Sequence, residues 1–215
     1  MGIHLELVGK KVLPYPFCYP KELAKAWPDV KRDFSRRIYG QRNAEILVNA
    51  RVLKKKDRIL DIGTGDEAGF VAYLLDHGYR HVLGIDNEVI ESKNRNTMRI
   101  DLRDLPVEKT FDVIHFSALL EYFRDMKNPA DKAATADLFA LKVDVHLAPD
   151  GILLFRDRIY DERMDMFLST LKDRGYREDW TVGGAKVKLE YKRDFDELFR
   201  AYRKPGLDEI EYRRT

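Results

Sequence analysis

Five short apolar runs, "RILDIG", "HVLGID", "TMRIDL", "FDVIHF" and "GILLFRD", recur between residues 58 and 157, separated by stretches of helical periodicity near 67–77, 88–94, 118–125 and 131–147. Runs this apolar suit strands that are buried on both faces, the condition inside a parallel sheet whose crossover helices cover it. The alternation therefore predicts one α/β domain: a doubly wound, mostly parallel sheet with helices on both faces. Farther on, "DERMDMFLSTLKDRG" reads as a helix ending at Gly175, where glycine takes a left-handed cap at little cost. "YREDWTV" and "KVKLEYK" flank Gly183 and Gly184, a hairpin signal, so an antiparallel strand pair is expected near the C-terminal end of the sheet. From Asp196, "FDELFRAYRK" reads as an amphipathic C-terminal helix, followed by the charged tail "LDEIEYRRT".

The first twenty residues break this pattern. "LPYPFCYP" sets Pro14, Pro16 and Pro20 among Tyr15, Phe17 and Tyr19. Proline has no backbone donor, so an extended arm is expected there rather than a helix or central strand. From Lys21 to Val52 apolar residues return at spacings of three and four, which predicts helices. These shifts divide the chain into an N-terminal arm with helices (1–54), a ligand-binding core (55–193) and a C-terminal helix and tail (194–215). The aromatic arm, together with Trp27, has two readings: a lid over a ligand, or packing on the apolar edge of the sheet.

Composition narrows the function classes. The 215 residues are 44% hydrophobic and 35% charged, with 39 basic against 37 acidic side chains, which suits a soluble globular protein and not a strongly basic nucleic-acid binder. Cys18 is the only cysteine and no Cys/His cluster has metal-ligand spacing, so a reducing, cytoplasmic setting without a structural metal is expected. The first twenty residues carry no signal-peptide core, no transmembrane-length apolar run occurs, and Glu6 stands where a myristoylation signal needs Ser or Thr. No membrane partner is expected. Gln41 is the only glutamine beside abundant Lys, Arg, Glu and Asp, a balance found in heat-adapted proteins.

The chemistry concentrates in "RILDIGTGDEAGF", residues 58–70. Gly63, Gly65 and Ala68 meet the G-x-G-x-x-G/A spacing of a dinucleotide turn, and Asp86 follows where an acid for ribose hydroxyls belongs. A diphosphate, however, is held by backbone N–H groups and a helix N-terminus, and neighbouring carboxylates repel it. Asp61 ends the strand and Asp66 and Glu67 follow the second glycine, so carboxyls crowd the turn. S-adenosylmethionine suits this chemistry better, because it presents a ribose, an ammonium and a sulfonium but no phosphate, while glycines let the backbone come close.

Here the sequence resembles the class I S-adenosylmethionine-dependent methyltransferases, whose first motif is an apolar strand ending in D/E-x-G-x-G; "LDIGTG" matches it in full. The resemblance implies a Rossmann-like sheet, S-adenosyl-L-methionine as cofactor, and donor-binding roles for Asp61, Gly63, Thr64 and Gly65. "VLGIDN" resembles the second motif, which implies Asp86 on the ribose hydroxyls and Asn87 beside the adenine. "RIDLRDLP" resembles the third, which implies Asp101 near the adenine amino group and Leu102 contributing backbone and packing. "FDVIHFSALLEYF" is similar to the fourth strand and its following turn, where Ser117 or a neighbour lies beside the donor and an acid and an aromatic, Glu121 and Tyr122, follow. "HLAPDGILLFRD" resembles the helix end, Pro-x-Gly turn and fifth strand. The likeness covers about residues 55–160, and Glu67 departs from it by standing where many members have a third glycine.

Structural roles compete with these. Asp86 or Asn87 is able to cap the next helix, and Asp101 or Asp104 a turn before Pro106. His115, inside "VIHFSA", reads first as a hydrogen-bonded core histidine and second as a catalytic base. Methyl transfer is an in-line displacement, so holding both reactants in near-attack geometry is the protein's main task. A base is needed only for a hydroxyl or an acidic carbon, and Glu121, Tyr122 and His115 are the catalytic candidates. A small-molecule acceptor is the first reading. An RNA or protein acceptor is the second: Lys186, Lys188, Lys192, Arg193, Arg200 and Arg203 suit phosphates, but the net charge is only +2 and "FSAL" is not the Asn/Asp-Pro-Pro-aromatic turn of base-directed amino methylation. A donor-binding regulatory module without catalysis is the third.

Overall fold

The computed structural model describes residues 3–7, 10–15, 40–65, 67–87, 96–117, 119, 129–158, 162–179, 181–182, 185–186 and 197–206. In chain order these form β1 (Ile3–Leu7), β2 (Lys10–Tyr15), helix α1 (40–49), β3 (Ile59–Ile62), α2 (Gly69–Asp76), β4 (Val82–Asp86) and β5 (Thr97–Arg99). A 3-10 turn (Leu102–Asp104), β6 (Phe111–Ser117), α3 (Pro129–His146), β7 (Leu147–Arg158) and α4 (Glu162–Asp173) follow, then β8 (Arg177–Glu178), β9 (Thr181–Val182), β10 (Ala185–Lys186) and β11 (Glu197–Arg203). The main sheet has seven strands in the order β5-β4-β3-β6-β7-β11-β8. β3 lies parallel to β4 and β6, β4 to β5, and β6 to β7, whereas β11 runs antiparallel to both β7 and β8.

Alternation along the strands sorts their side chains onto two faces. Leu60, Ile114, Phe116, Leu153 and Phe155 join Phe139 and Val143 of α3 and Phe167 and Leu171 of α4 in one core. Ile59, Val113 and Leu154 join Leu47 of α1 and Phe70 and Leu74 of α2 in the other. Every residue of β3 is buried, as expected of a central strand covered on both sides. Phe116 anchors the first core: its ring stacks on Phe155 with centroids 4.9 Å apart and meets Phe139 and Phe167 edge-on at 5.2 and 5.7 Å. At the opposite end of the strands Arg58 pairs with Asp112, Nη2 to Oδ1 at 2.8 Å and Nε to Oδ2 at 3.2 Å, which ties the approaches to β3 and β6. The guanidinium holds the Asp112 carboxyl below its ordinary value of 3.8.

The expected Pro-x-Gly turn is present as an interruption of β7. Pairing jumps from Phe111 with Leu147 to Val113 with Ile152, so the surplus residues of β7 bulge out, with Asp150 at φ 59°.

Three expectations need correction. "FDELFRAYRK" is not a helix: Glu197–Arg203 is strand β11, paired with β7 from Glu197 opposite Arg158 to Arg203 opposite Ile152. The open edge of β7 supplies a full ladder of partners, and the adjacent Ala201 and Tyr202 are buried in opposite cores, which an extended strand allows. The pair about Gly183 and Gly184 is a separate two-stranded sheet, β9 with β10, and the antiparallel strands of the main sheet are β11 and β8. The start of the arm is a hairpin rather than a lone extended segment: β1 pairs antiparallel with β2, and Pro14 sits in β2, an edge position that tolerates its missing donor. Both α1 and β11 lie outside the 55–193 core expected from the sequence, yet Leu47 and Ala201 belong to its cluster. The helix expected near 88–94, most of that near 118–125, the tail after 206, and Phe17, Tyr19 and Trp27 of the suggested lid fall outside the described residues. Among the described residues no helix is long and apolar enough to cross a membrane.

Phe116→Ala is expected to lower unfolding free energy by about 3–5 kcal/mol, read by urea denaturation, because three neighbouring rings lose their contact and the site collapses only in part. The lowered Asp112 value makes its ion pair stabilising above pH 3.8 and progressively lost as pH falls through the folded-state value. Asp112→Asn is therefore expected to melt below wild type at neutral pH, with the difference closing on the acid side of a melting-temperature profile.

Candidate functional site

The winding of the sheet reverses between β3 and β6: from β3 the chain moves through α2 to β4 and β5, while β6 and β7 lie on the other side. Connections therefore diverge at the carboxyl ends of β3 and β6 and leave a crevice, the place where doubly wound sheets bind ligands. The glycine turn enters it directly. Gly63 and Gly65 have φ of 72° and 71°, a left-handed conformation that L side chains resist. A Cβ on Gly63 would also lie 3.1 Å from Leu119 Cδ1, whereas nothing lies within 4 Å of one on Gly65, so backbone conformation alone asks for glycine there. In β4, a Cβ on Gly84 would come within 2.8 Å of Thr64 Oγ1, so the glycine of "VLGID" makes room for Thr64 behind the turn.

The amides of the turn are already engaged. Gly63 N and Thr64 N donate to the Ile85 carbonyl at 2.8 and 3.2 Å, and Gly65 N donates to Asp86 Oδ2 at 2.9 Å. A diphosphate would need such amides as its own donors. A ligand without phosphate needs only the close approach, so the residues present fit S-adenosylmethionine better than a dinucleotide. Ala68 takes a left-handed conformation, φ 44°, and precedes α2 without a side-chain cap, while Glu67 is exposed. The junction to α2 is thus made by a strained alanine, at a cost of about 1–2 kcal/mol. Asp66 lies outside the described residues.

Asp61 and His115 are cross-strand partners in the β3–β6 register. His115 Nδ1 and Asp61 Oδ1 are 2.7 Å apart, and the two residues are only 1% and 3% exposed. The imidazole stacks on Phe70 of α2 with ring centroids 4.0 Å apart. His115 is accordingly a core histidine, enclosed by β3 and α2. With Nδ1 engaged by Asp61 and the ring face covered by Phe70, the geometry favours the core reading of His115 over that of a catalytic base. The Asp61 carboxylate is likewise turned to His115, so its charge lies beneath the turn and not at its surface.

Asp86, at the end of β4, is half-buried and locks the turn through Gly65. Asn87 is exposed and its carbonyl accepts from Arg99 Nε at 3.2 Å. Asp101 caps the 3-10 turn by accepting from Arg103 N at 2.8 Å, and it pairs with the Arg103 guanidinium, Nη2 to Oδ2 at 2.7 Å. That guanidinium holds the Asp101 carboxyl below its ordinary range. Leu102 is buried in the core beside Leu105. Ser117 ends β6 at the crevice, half-buried. Glu121 and Tyr122 lie outside the described residues.

Two polar residues at this edge escaped the sequence reading. Asn43 of α1 is fully buried, its Nδ2 donating to Ser117 Oγ at 3.2 Å and its Oδ1 accepting from Arg156 Nη1 at 2.8 Å. Arg156, which faces Ser117 in the β6–β7 register, is 2% exposed. Their signal in the sequence is a polar residue within an apolar pattern: Asn43 next to Ala44, Ile46 and Leu47, and Arg156 closing "GILLF".

A family model described as a methyltransferase domain matches residues 34–202. The chain belongs to that family, the class I S-adenosylmethionine-dependent methyltransferases of Rossmann-like fold. Among solved structures it is similar to a methyltransferase from Pyrococcus furiosus, 18% identical over 87% of this chain and 95% of that one, with a TM-score of 0.56. It is also similar to NSun6 from Pyrococcus horikoshii with SFG, 18% identical over 74% of this chain, TM-score 0.54, and spans 51% of that chain, about half its length. A third is magnesium protoporphyrin IX methyltransferase (ChlM) from Synechocystis PCC 6803 with bound SAM, 14% identical over 83% and 85% of the two chains, TM-score 0.51. At such identities the likeness is one of fold. No curated protein sequence matches the chain.

His115→Phe is expected to cost about 3–5 kcal/mol in urea denaturation, because it leaves a buried carboxylate without its donor, and His115→Phe combined with Asp61→Leu to cost less than the single change. A single variant as stable as wild type would contradict the structural role assigned to the pair.

Proposed function

We propose that this methyltransferase moves the methyl group of S-adenosylmethionine to a small-molecule nucleophile. The observation that carries the donor side is the turn at 63–65, whose three amides are all committed to β4 and so are not available to a phosphate. S-adenosylmethionine supplies a methyl group already activated on a sulfonium; the residues of this chain bind and orient. Asp86 takes the ribose hydroxyls. A carboxylate has about four acceptor sites, so its bond to Gly65 does not exhaust it. Asn87, Leu102 and Asp101 line the adenine side, Asp101 sharing its carboxylate with Arg103. Gly63, Thr64 and Gly65 approach the donor through backbone, and Ser117 stands at the transfer end. Glu121 and Tyr122 serve as base where the acceptor must lose a proton.

A small acceptor is supported by where the described basic residues stand; Lys188, Lys192 and Arg193 lie outside the described residues. Arg203 pairs with Ile152, toward the amino end of β7 and so away from the crevice, and its Nε is engaged by Asp179 Oδ2 at 2.9 Å. Arg200 sits on the same strand, outside the β3–β6 seam, and Lys186 belongs to the separate β9–β10 pair. A phosphate track needs its cations beside the reacting edge. The single cysteine suits a cytoplasmic setting.

Calorimetry is expected to show binding of S-adenosylmethionine and S-adenosylhomocysteine and none of NADH; Asp86→Ala is expected to weaken both ligands by about 1.5–3 kcal/mol. Binding of NADH alone would refute the donor reading. Methylation of RNA or protein with no turnover of small nucleophiles would refute the acceptor reading, and donor binding without turnover on any acceptor would favour a regulatory module.

A further inference from the structure

We infer that Arg156 and Asn43 are positioning residues that fix the hydrogen-bond polarity of Ser117, so that its hydroxyl donates into the crevice and meets the α-carboxylate of the donor. The inference rests on the donor reading above and follows from what each group is able to do. A guanidinium has donors and no acceptor, so only the Oδ1 side of the Asn43 amide can face Arg156 Nη1, 2.8 Å away. Asn43 is fully buried, and its amide is thereby held in one of its two orientations. Nδ2 must then face Ser117 Oγ, at 3.2 Å, where it is the donor. The serine oxygen is left as acceptor toward α1, and its own proton turns away from Asn43.

The direction of that proton has a consequence for the ligand. Ser117 ends β6 beside the turn at 63–65, and Ile62 and Phe116, the residues just before each, are register partners. On the donor reading the ribose lies at Asp86; β4 and β6 flank β3 on opposite sides, so the amino-acid end of the donor then crosses the turn toward β6. That end carries an ammonium, which only donates, and a carboxylate, which only accepts. The serine oxygen keeps a second lone pair after accepting from Asn43, but its one proton is left for a group that accepts, and of the two groups only the carboxylate does. None of the three residues is adjacent to another in the chain: Asn43 and Ser117 are 74 positions apart, Asn43 and Arg156 113. The polarity is therefore a property of the tertiary contact between α1 and the sheet edge.

The test compares S-adenosylhomocysteine with its decarboxylated form by calorimetry. Ser117→Ala is expected to weaken the intact ligand about tenfold to hundredfold, the range for a hydrogen bond to a charged group, and to leave the decarboxylated one unchanged. Asn43→Asp keeps the shape but replaces the amide donor by an acceptor, which turns the serine proton back toward α1; a similar carboxylate-specific loss is expected, with no further loss when the two changes are combined. Should Asn43→Asp fail to fold by circular dichroism, Arg156→Met removes the group that pins the amide and is expected to give a smaller loss of the same specificity. Equal losses for both ligands, additive effects of Asn43→Asp and Ser117→Ala, or an Asn43→Asp protein that binds as wild type overturn the inference. Wild type that binds neither ligand overturns the donor reading itself, a result separate from all of these.

Discussion

The parallel pairing of β3 with β6 is the constraint on which the rest of the molecule depends. These strands are neighbours in space but not in sequence, and the chain reaches β6 only after building β4 and β5 on the other side of β3. Their carboxyl ends thus share no connecting segment, and the backbone is free to turn outward at Gly63. The same register sets Asp61 against His115 and Ile62 against Phe116, one pair closing toward α2 and the other toward α3 and α4. A slip by one residue would turn Phe116 from the aromatic core to the face of α2 and put His115 in its place. The hydrophobic packing on both faces thereby also fixes where the ligand turn and Ser117 stand.

Two sets of polar side chains are buried together at this seam. Asp61 and His115 satisfy one another across the strands, and Asn43 bridges Arg156 and Ser117 between helix and sheet. Burying charge and amide in this way adds little net stability compared with apolar packing of the same volume, but removing one partner is costly. What these contacts supply is direction. The Asn43 amide is held in one orientation between Arg156 and Ser117, and the His115 ring is held between Asp61 and Phe70.

The two sides of the crevice are built differently. On the β4 side the turn uses backbone amides and a single carboxylate, which explains why short motifs in the sequence identify it. On the β6–β7 side the positions are set by side chains from α1, β6 and β7, and the family motif says nothing of Asn43 or Arg156.

The sequence by itself determined the elements whose cause is local. Alternating apolar runs marked β3 to β7, left-handed glycines marked the turn, and the acid ending β4 marked the second motif. Even the cap at Asp101 was legible, since it reaches only two residues ahead. What stayed hidden had partners far away along the chain. "FDELFRAYRK" carries a helical period, and only the unpaired edge of β7, with a core on each side, made it a strand. The hairpin at Gly183 and Gly184 was visible as a turn, but whether it joins the main sheet depends on which edge is left open, and β11 and β8 took that edge. His115 offered both a base and a core residue until Asp61 and Phe70 enclosed it. A side chain's chemistry is written in its own residue, but its orientation comes from the groups that pack around it, and in this protein those groups are brought together only by the fold.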